Sequence, residues 1–99
     1  MDIQAFLNGL DKLFAKKAID EVEPFLNESM ENAKKENDKS AQFTILNEMM
    51  GFFRDTSQYD KSIKACNQCL SLMKEMNIEG TVDYATSLQN IANAHRAAG

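Results

Sequence analysis

Apolar residues recur along this chain at helical spacing, in blocks that resemble one another. Leu46-x2-Met49-Met50-x2-Phe53 places four large apolar side chains on one face of a helix, because positions i, i+3, i+4 and i+7 share a stripe. The spacing returns as Leu88-x2-Ile91-Ala92-x2-His95 and as Phe6-x2-Gly9-Leu10-x2-Leu13. Nine residues after Phe53 comes Ser62-x3-Cys66-x2-Cys69, and nine after Leu13 comes Val22-x3-Leu26-x2-Ser29. The chain thus reads A-B, A-B, A. Leu13 and Phe53 are 40 residues apart and Phe53 and His95 are 42, the extra pair falling around Ile78-Glu79-Gly80. Periods of this length belong to stacked helix pairs. The pattern predicts five helices, near residues 2–16, 20–36, 41–55, 58–77 and 82–98, in one all-α domain over 1–99. Repeat one is 2–39, repeat two 40–79 and a half repeat 80–99. No segment alternates with a period of two for long enough to make a strand.

The helix ends are predicted from local chemistry. Asp2 is placed to cap the first helix, Ser40 the third, Thr56 or Ser57 the fourth and Thr81 the fifth, since short oxygen-bearing side chains accept from free N–H groups at a helix start. Ser57-x2-Asp60 resembles a capping box with Asp in place of Glu. Pro24 sets the start of the second helix at Asp20 or Glu21, because proline is tolerated only where the leading N–H groups lack partners. Gly9 stands where the other copies have Met49 and Ile91, which means either a close backbone approach or a register one residue different. The inward stripes are Phe25, Leu26, Met30 and Ala33 in the second helix. In the fourth they are Tyr59, Ile63, Cys66, Cys69, Leu70, Met73 and Met76.

At these residues the chain resembles the tetratricopeptide repeat (TPR), over nearly its whole length. That signature runs large residue-x2-Leu-Gly-x2-Tyr, then Ala-x3-Phe. Here the Gly position holds Leu10, Met50 and Ala92, and the Ala position holds Val22 and Ser62. TVDYATSLQNIANAHRAAG looks most like the longer repeats of the kinesin light chain type. The resemblance implies antiparallel helix hairpins stacked as a right-handed superhelix of about two and a half repeats, with the A helices lining a concave, partner-binding face. It places ligand-facing positions at Gln4, Leu7, Asp11 and Phe14, at Thr44, Asn47, Gly51 and Arg54, and at Thr86, Gln89, Asn93 and Arg96. Of these, Asn47, Arg54, Gln89, Asn93 and Arg96 are the expected peptide-binding residues. Amides offer donor and acceptor to an extended backbone, and arginine takes carboxylates bidentately. The lysine-rich carboxylate clamp of the chaperone-binding members is not matched.

Composition narrows the function. The net charge of −4 and pI near 4.9 oppose binding to a phosphate backbone, which needs clustered Lys and Arg. No run approaches the ~20 apolar residues of a membrane span, and MDIQAFLNGL lacks the basic start of a signal peptide. Two cysteines and six methionines without such a signal fit a reducing cytoplasm. Cys66-x2-Cys69 is the one motif with a reactive spacing. It falls inside a helix with no strand before it, and His95 is the lone histidine, so packing is preferred over a redox or metal role. His95 itself is expected half-buried at a helix interface. Neither a phosphate-binding glycine loop nor paired catalytic carboxylates appear, and neither an enzyme activity nor a cofactor is expected.

The sequence therefore points to a protein- or peptide-binding scaffold, with a structural spacer or oligomerisation segment of a larger regulator as the alternative. The chain is expected to be part of a longer array. In this chain the apolar stripe of the last helix lacks the next B helix of such an array, so a homodimer through that helix is expected, with a frayed last helix in a monomer as the rival.

Overall fold

The computed structural model describes residues 1–77 and 82–99, with side chains described through 77 and from 85 onward. Among them the chain forms five α-helices and no strand: α1 (Ile3–Ala15), α2 (Val22–Lys35), α3 (Lys39–Asp55), α4 (Tyr59–Met76) and α5 (Val82–Ala98). Each lies within two residues of its sequence prediction. The expected break at Ile78-Glu79-Gly80 and the cap at Thr81 lie outside the described residues. The chain divides into two compact units, Met1–Ile45 and Leu46–Gly99, with the boundary inside α3.

In the first unit Asp2 caps α1 as expected, its carboxylate accepting from Ala5 N–H at 3.1 Å. A 3-10 turn over Ile19–Glu21 precedes α2, which starts at Val22 instead of Asp20 or Glu21. Pro24 explains the delay. In an α-helix running from Asp20, its ring would clash with the Asp20 carbonyl and supply no N–H to it. As the third residue of α2 it sits among N–H groups that lack partners anyway. Phe25, one turn into α2, lies over α1. Its ring stacks on Phe6 with centroids 5.6 Å apart and planes 7° from parallel. Gly9 makes room for it: a Cβ there would stand 2.9 Å from Phe25 Cζ. Of the two readings of Gly9, close approach is the one the structure supports. Val22, Leu26, Ser29, Met30 and Ala33 are buried along α2. The terminal ammonium of Met1 lies 3.2 Å from Asp38 and 3.4 Å from Glu36. Hydrogen bonds to Asp38 and then Glu36 hold its pKa above the ordinary value.

Asp38, not Ser40, caps α3, accepting from Ala41 N–H at 3.0 Å. The reason is the turn before it. Asn37 is left-handed (φ 53°), and the Asp38 N–H returns to the Ala33 carbonyl at 2.9 Å, so Asp38 is already at the helix threshold. Ser40 lies within the first turn and gives its carbonyl to Thr44 Oγ1.

The same turn recurs. Lys17, Asn37, Ser57 and Asn77 are all left-handed, with φ between 53° and 61°, and they are spaced 20 residues apart. After each of the first three, the next residue's N–H bonds back five positions: Ala18 to Leu13, Asp38 to Ala33 and Gln58 to Phe53. This is the Schellman arrangement, which satisfies carbonyls left over at a helix end. Glycine usually fills its left-handed position, because a Cβ there costs roughly 1–2 kcal/mol. None of these four positions is glycine. Lys17→Gly should therefore raise stability by about 0.5–1 kcal/mol, and Lys17→Val should lower it. Thermal melts of the two variants check this; a lower melting temperature for the glycine variant would refute it.

In the second unit α4 folds back along α3. Ser62, near the start of α4, is fully buried and donates to the Met50 carbonyl at 3.0 Å. Lys61 Nζ lies 5.6 Å from the centre of the Phe53 ring. Thr56 and Ser57 do not cap α4. The Thr56 hydroxyl donates backward to the Phe52 carbonyl at 2.9 Å and so closes α3. Gln58 occupies the cap position with no side-chain bond to the helix. Leu46, Met49, Met50 and Phe53 are buried as the stripe predicts. In α4 the buried set is Ser62, Ala65, Cys66, Cys69, Leu72 and Met73, while Tyr59, Ile63, Leu70 and Met76 are only half-buried.

α5 packs against α4 on a face rotated from the predicted one. Ser87, Ile91 and Ala94 are buried, whereas Leu88 is 40% exposed and Ala92 and His95 face solvent. The half-buried His95 expected from the sequence is thus corrected. The repeat comparison copied the stripe of α3, which has α4 to cover it, onto a helix for which the described residues supply no such cover.

Candidate functional site: polar rows on α3 and α5

Residues 47, 51 and 54 share one face of α3, and 89, 93 and 96 share one face of α5, each set at i, i+4, i+7 spacing. Both sets lie in the second unit. Asn47 links the two helices. Its side-chain carbonyl accepts from Ser87 Oγ at 3.0 Å and from Asn90 Nδ2 at 3.2 Å. Asn47 is half-buried, and its oxygen is committed to holding α5 beside α3. Asn90 was not singled out from the sequence. Its signal was weak, an amide one position from Gln89, and spacing within one helix cannot reveal a bond made to another.

The remaining expected site residues are more open. Arg54 Nε bonds Asp55 at 3.2 Å, and its side chain is 28% exposed. Gly51 lies beside it, where an added Cβ would be in ordinary contact with the guanidinium at 3.9 Å. Gln89 and Arg96 are exposed and Asn93 is half-buried. Arg96 Nη2 donates to Asn93 Oδ1 one turn back. In the first unit, Gln4 donates to Asn8 and is exposed, as is Asp11; Leu7 is half-buried, and Phe14 is 41% exposed. Thr44 is half-buried and Thr86 exposed.

Cys66 and Cys69 are free and buried. Burial pushes both thiols up. Cys69 reaches about 11, with Ser87 hydrogen bonding partly opposing the shift and Cys66 adding to it. A buried thiol with a raised pKa is the reverse of an activated nucleophile, which needs an electropositive and accessible setting. Cys69 instead joins Ser87 and Asn47 in a polar cluster spanning α4, α5 and α3. Among the described residues no group of three or more His, Cys, Asp or Glu is placed to hold a metal ion. No described helix is long and apolar enough to cross a membrane.

No family model, curated protein or solved structure matches the chain.

Proposed function

We propose that this chain is a segment of a TPR-like helical-repeat scaffold, non-enzymatic and cytoplasmic, that binds a protein or peptide along α3 and α5. The observation that supports the reading is the equal i, i+4, i+7 spacing of the two polar rows, on two helices joined by the Asn47–Asn90 bond. The equal 20-residue spacing of left-handed helix stops supports the repeat architecture, because each helix-and-turn unit then has the same length.

In this reading Asn47 positions, and Arg54, Gln89, Asn93 and Arg96 bind. Asn93 and Gln89 offer amides to an extended backbone. Arg54 and Arg96 already hold polar oxygens, from Asp55 and Asn93. A ligand carboxylate would exchange for these contacts and form charge-assisted bonds. Acidic peptides are therefore the expected ligand class, despite the overall negative charge.

The test is selection from a displayed random-peptide library, followed by affinity measurement on the best peptides. The variant carrying Arg54→Ala and Asn93→Ala should bind them about 10–100-fold more weakly, since hydrogen bonds to charged groups contribute roughly 1.5–3 kcal/mol. Its melting temperature should barely move, as substitutions away from the core stay within about 0.5 kcal/mol. A spacer or oligomerisation segment would enrich no peptides, or peptides indifferent to both substitutions, and either result refutes the binding role.

A further inference from the structure

Within the second unit, α3 and α5 are held by different means. α3 buries Leu46, Met49, Met50, Phe52 and Phe53 there, all of them large and apolar. The described part of α5 buries Ser87, Ile91 and Ala94. Much of its attachment is polar. Ser87 Oγ and Asn90 Nδ2 both donate to the Asn47 side-chain carbonyl, at 3.0 and 3.2 Å, and Ser87 is hydrogen-bonded to Cys69. Such groups exchange protein partners for water when a helix lifts, so parting them costs less than parting an apolar seam. These are the marks of an element that opens locally while its neighbours stay folded. What lies under it is a thiol. Cys69 is free and fully buried against Ser87, and Cys66, also free and fully buried, is one turn earlier on α4.

We propose that Cys69 is a thiol-modification site covered by α5: low-molecular-weight disulfides reach it when α5 lifts from α4, and the mixed disulfide they leave keeps α5 off. The chemistry is thiol–disulfide exchange. The Cys69 thiol gives its proton to water, and the thiolate attacks one sulfur of RSSR. The Cys69–S–SR bond forms as the S–S bond of RSSR breaks, and the departing RS⁻ takes up a proton to leave as RSH. RSSR is the oxidant, and no other electron acceptor is needed. While α5 is in place the reaction is blocked twice. The sulfur has no open approach, and burial pushes the thiol from its ordinary 9.0 to about 11. Lifting α5 relieves part of that burial and raises the share of thiolate, the reactive form. After reaction, the added group does not fit beneath Ser87, because a close-packed site takes extra atoms only by displacing its neighbours. Cys66 does not remove the adduct. Three positions apart on a helix, Cβ atoms stand roughly 5–6 Å from each other, whereas a disulfide needs about 3.5–4.5 Å. The adduct therefore lasts until an external thiol reduces it. The inference stands without the peptide-binding reading.

The probe is 2-hydroxyethyl disulfide, added to the unaltered chain, with acid quenching and tandem mass spectrometry to place the adduct. Cys69 should react at least about tenfold faster than Cys66, and with a weaker dependence on urea, since local opening exposes less surface than global unfolding. Asn47→Ala takes from α5 the acceptor of two hydrogen bonds while α3 stays helical. It should speed the Cys69 reaction about 5–100-fold and the Cys66 reaction far less. In the Cys69 adduct the α5 amides should exchange fast while those of α3 stay protected, and dithiothreitol should restore the slow exchange. Three outcomes would overturn the inference. The first is one rate and one steep urea dependence for both cysteines, which means access by global unfolding. The second is equal acceleration of both by Asn47→Ala. The third is an adduct whose α5 amides remain protected.

Discussion

Leu26→Ala should lower the stability of the protein by about 2–5 kcal/mol, the range for removing a large aliphatic side chain from a close-packed site. Leu26 is fully buried at the middle of the α2 stripe, with Val22 a turn before it and Met30 a turn after. The loss combines the transfer energy of the deleted carbons with the cavity they leave. Its weight comes from the size of the chain, since 99 residues bury a smaller share of their surface than a larger domain does. Domains of this size hold roughly 5–15 kcal/mol in all. At about 4–8 °C per kcal/mol the melting temperature should fall by about 8–40 °C, and partial unfolding at 25 °C is within range. Thermal circular dichroism at 222 nm reads this directly. A fall of less than about 5 °C would mean that Leu26 is not in the core.

Ser87→Leu should be comparably damaging, for a different reason. Ser87 is fully buried, donates to Asn47 and hydrogen-bonds Cys69. A leucine there must fit where α5 lies against α4, and overpacking typically costs about 1–3 kcal/mol. It also strips the half-buried Asn47 carbonyl of one of its two donors, a hydrogen bond worth about 0.5–1.5 kcal/mol net. Both losses fall on α5, so its amide protons should exchange much faster, approaching the rate of a free helix. Ser87→Ala removes only the second contribution and should cost about 0.5–1.5 kcal/mol. If Ser87→Leu and Ser87→Ala proved equally mild, the close packing of α5 described above would be wrong.

These residues also show how far the sequence could be read. Helix positions were legible because they rest on many residues at once. Leu46, Met49, Met50 and Phe53 all point one way, and all four are buried. The caps rest on one residue each, with alternatives nearly equal in energy. Asp38 and Ser40 are both good cap formers, and the left-handed Asn37 decides between them. Thr56 could have begun α4 or ended α3, and its hydroxyl turns backward. In α5 the error was a rotation. Ile91 is buried as the copied stripe expects, but it is joined by Ser87 and Ala94 in place of Leu88, Ala92 and His95. The candidate site was legible only in part for a related reason. Its rows came from the resemblance to a repeat family, but the pairing of Asn47 with Ser87 and Asn90 spans some 40 positions and has no local signature.

The even placement of Lys17, Asn37, Ser57 and Asn77 has a bearing on which changes of length the chain can absorb. Each stop fixes where one helix ends and the next begins, so residues between stops are counted, not merely typed. Deleting a single residue inside α3 would turn everything beyond it by about 100° around the helix axis. The polar face of Asn47 and Arg54 would then rotate toward the place of Leu46 and Phe53. Descendants of this sequence should therefore vary in composition far more readily than in length within 18–36, 38–56 and 58–76. Insertions should collect after Asn77, since the step from Phe53 to His95 is already two residues longer than the step from Leu13 to Phe53.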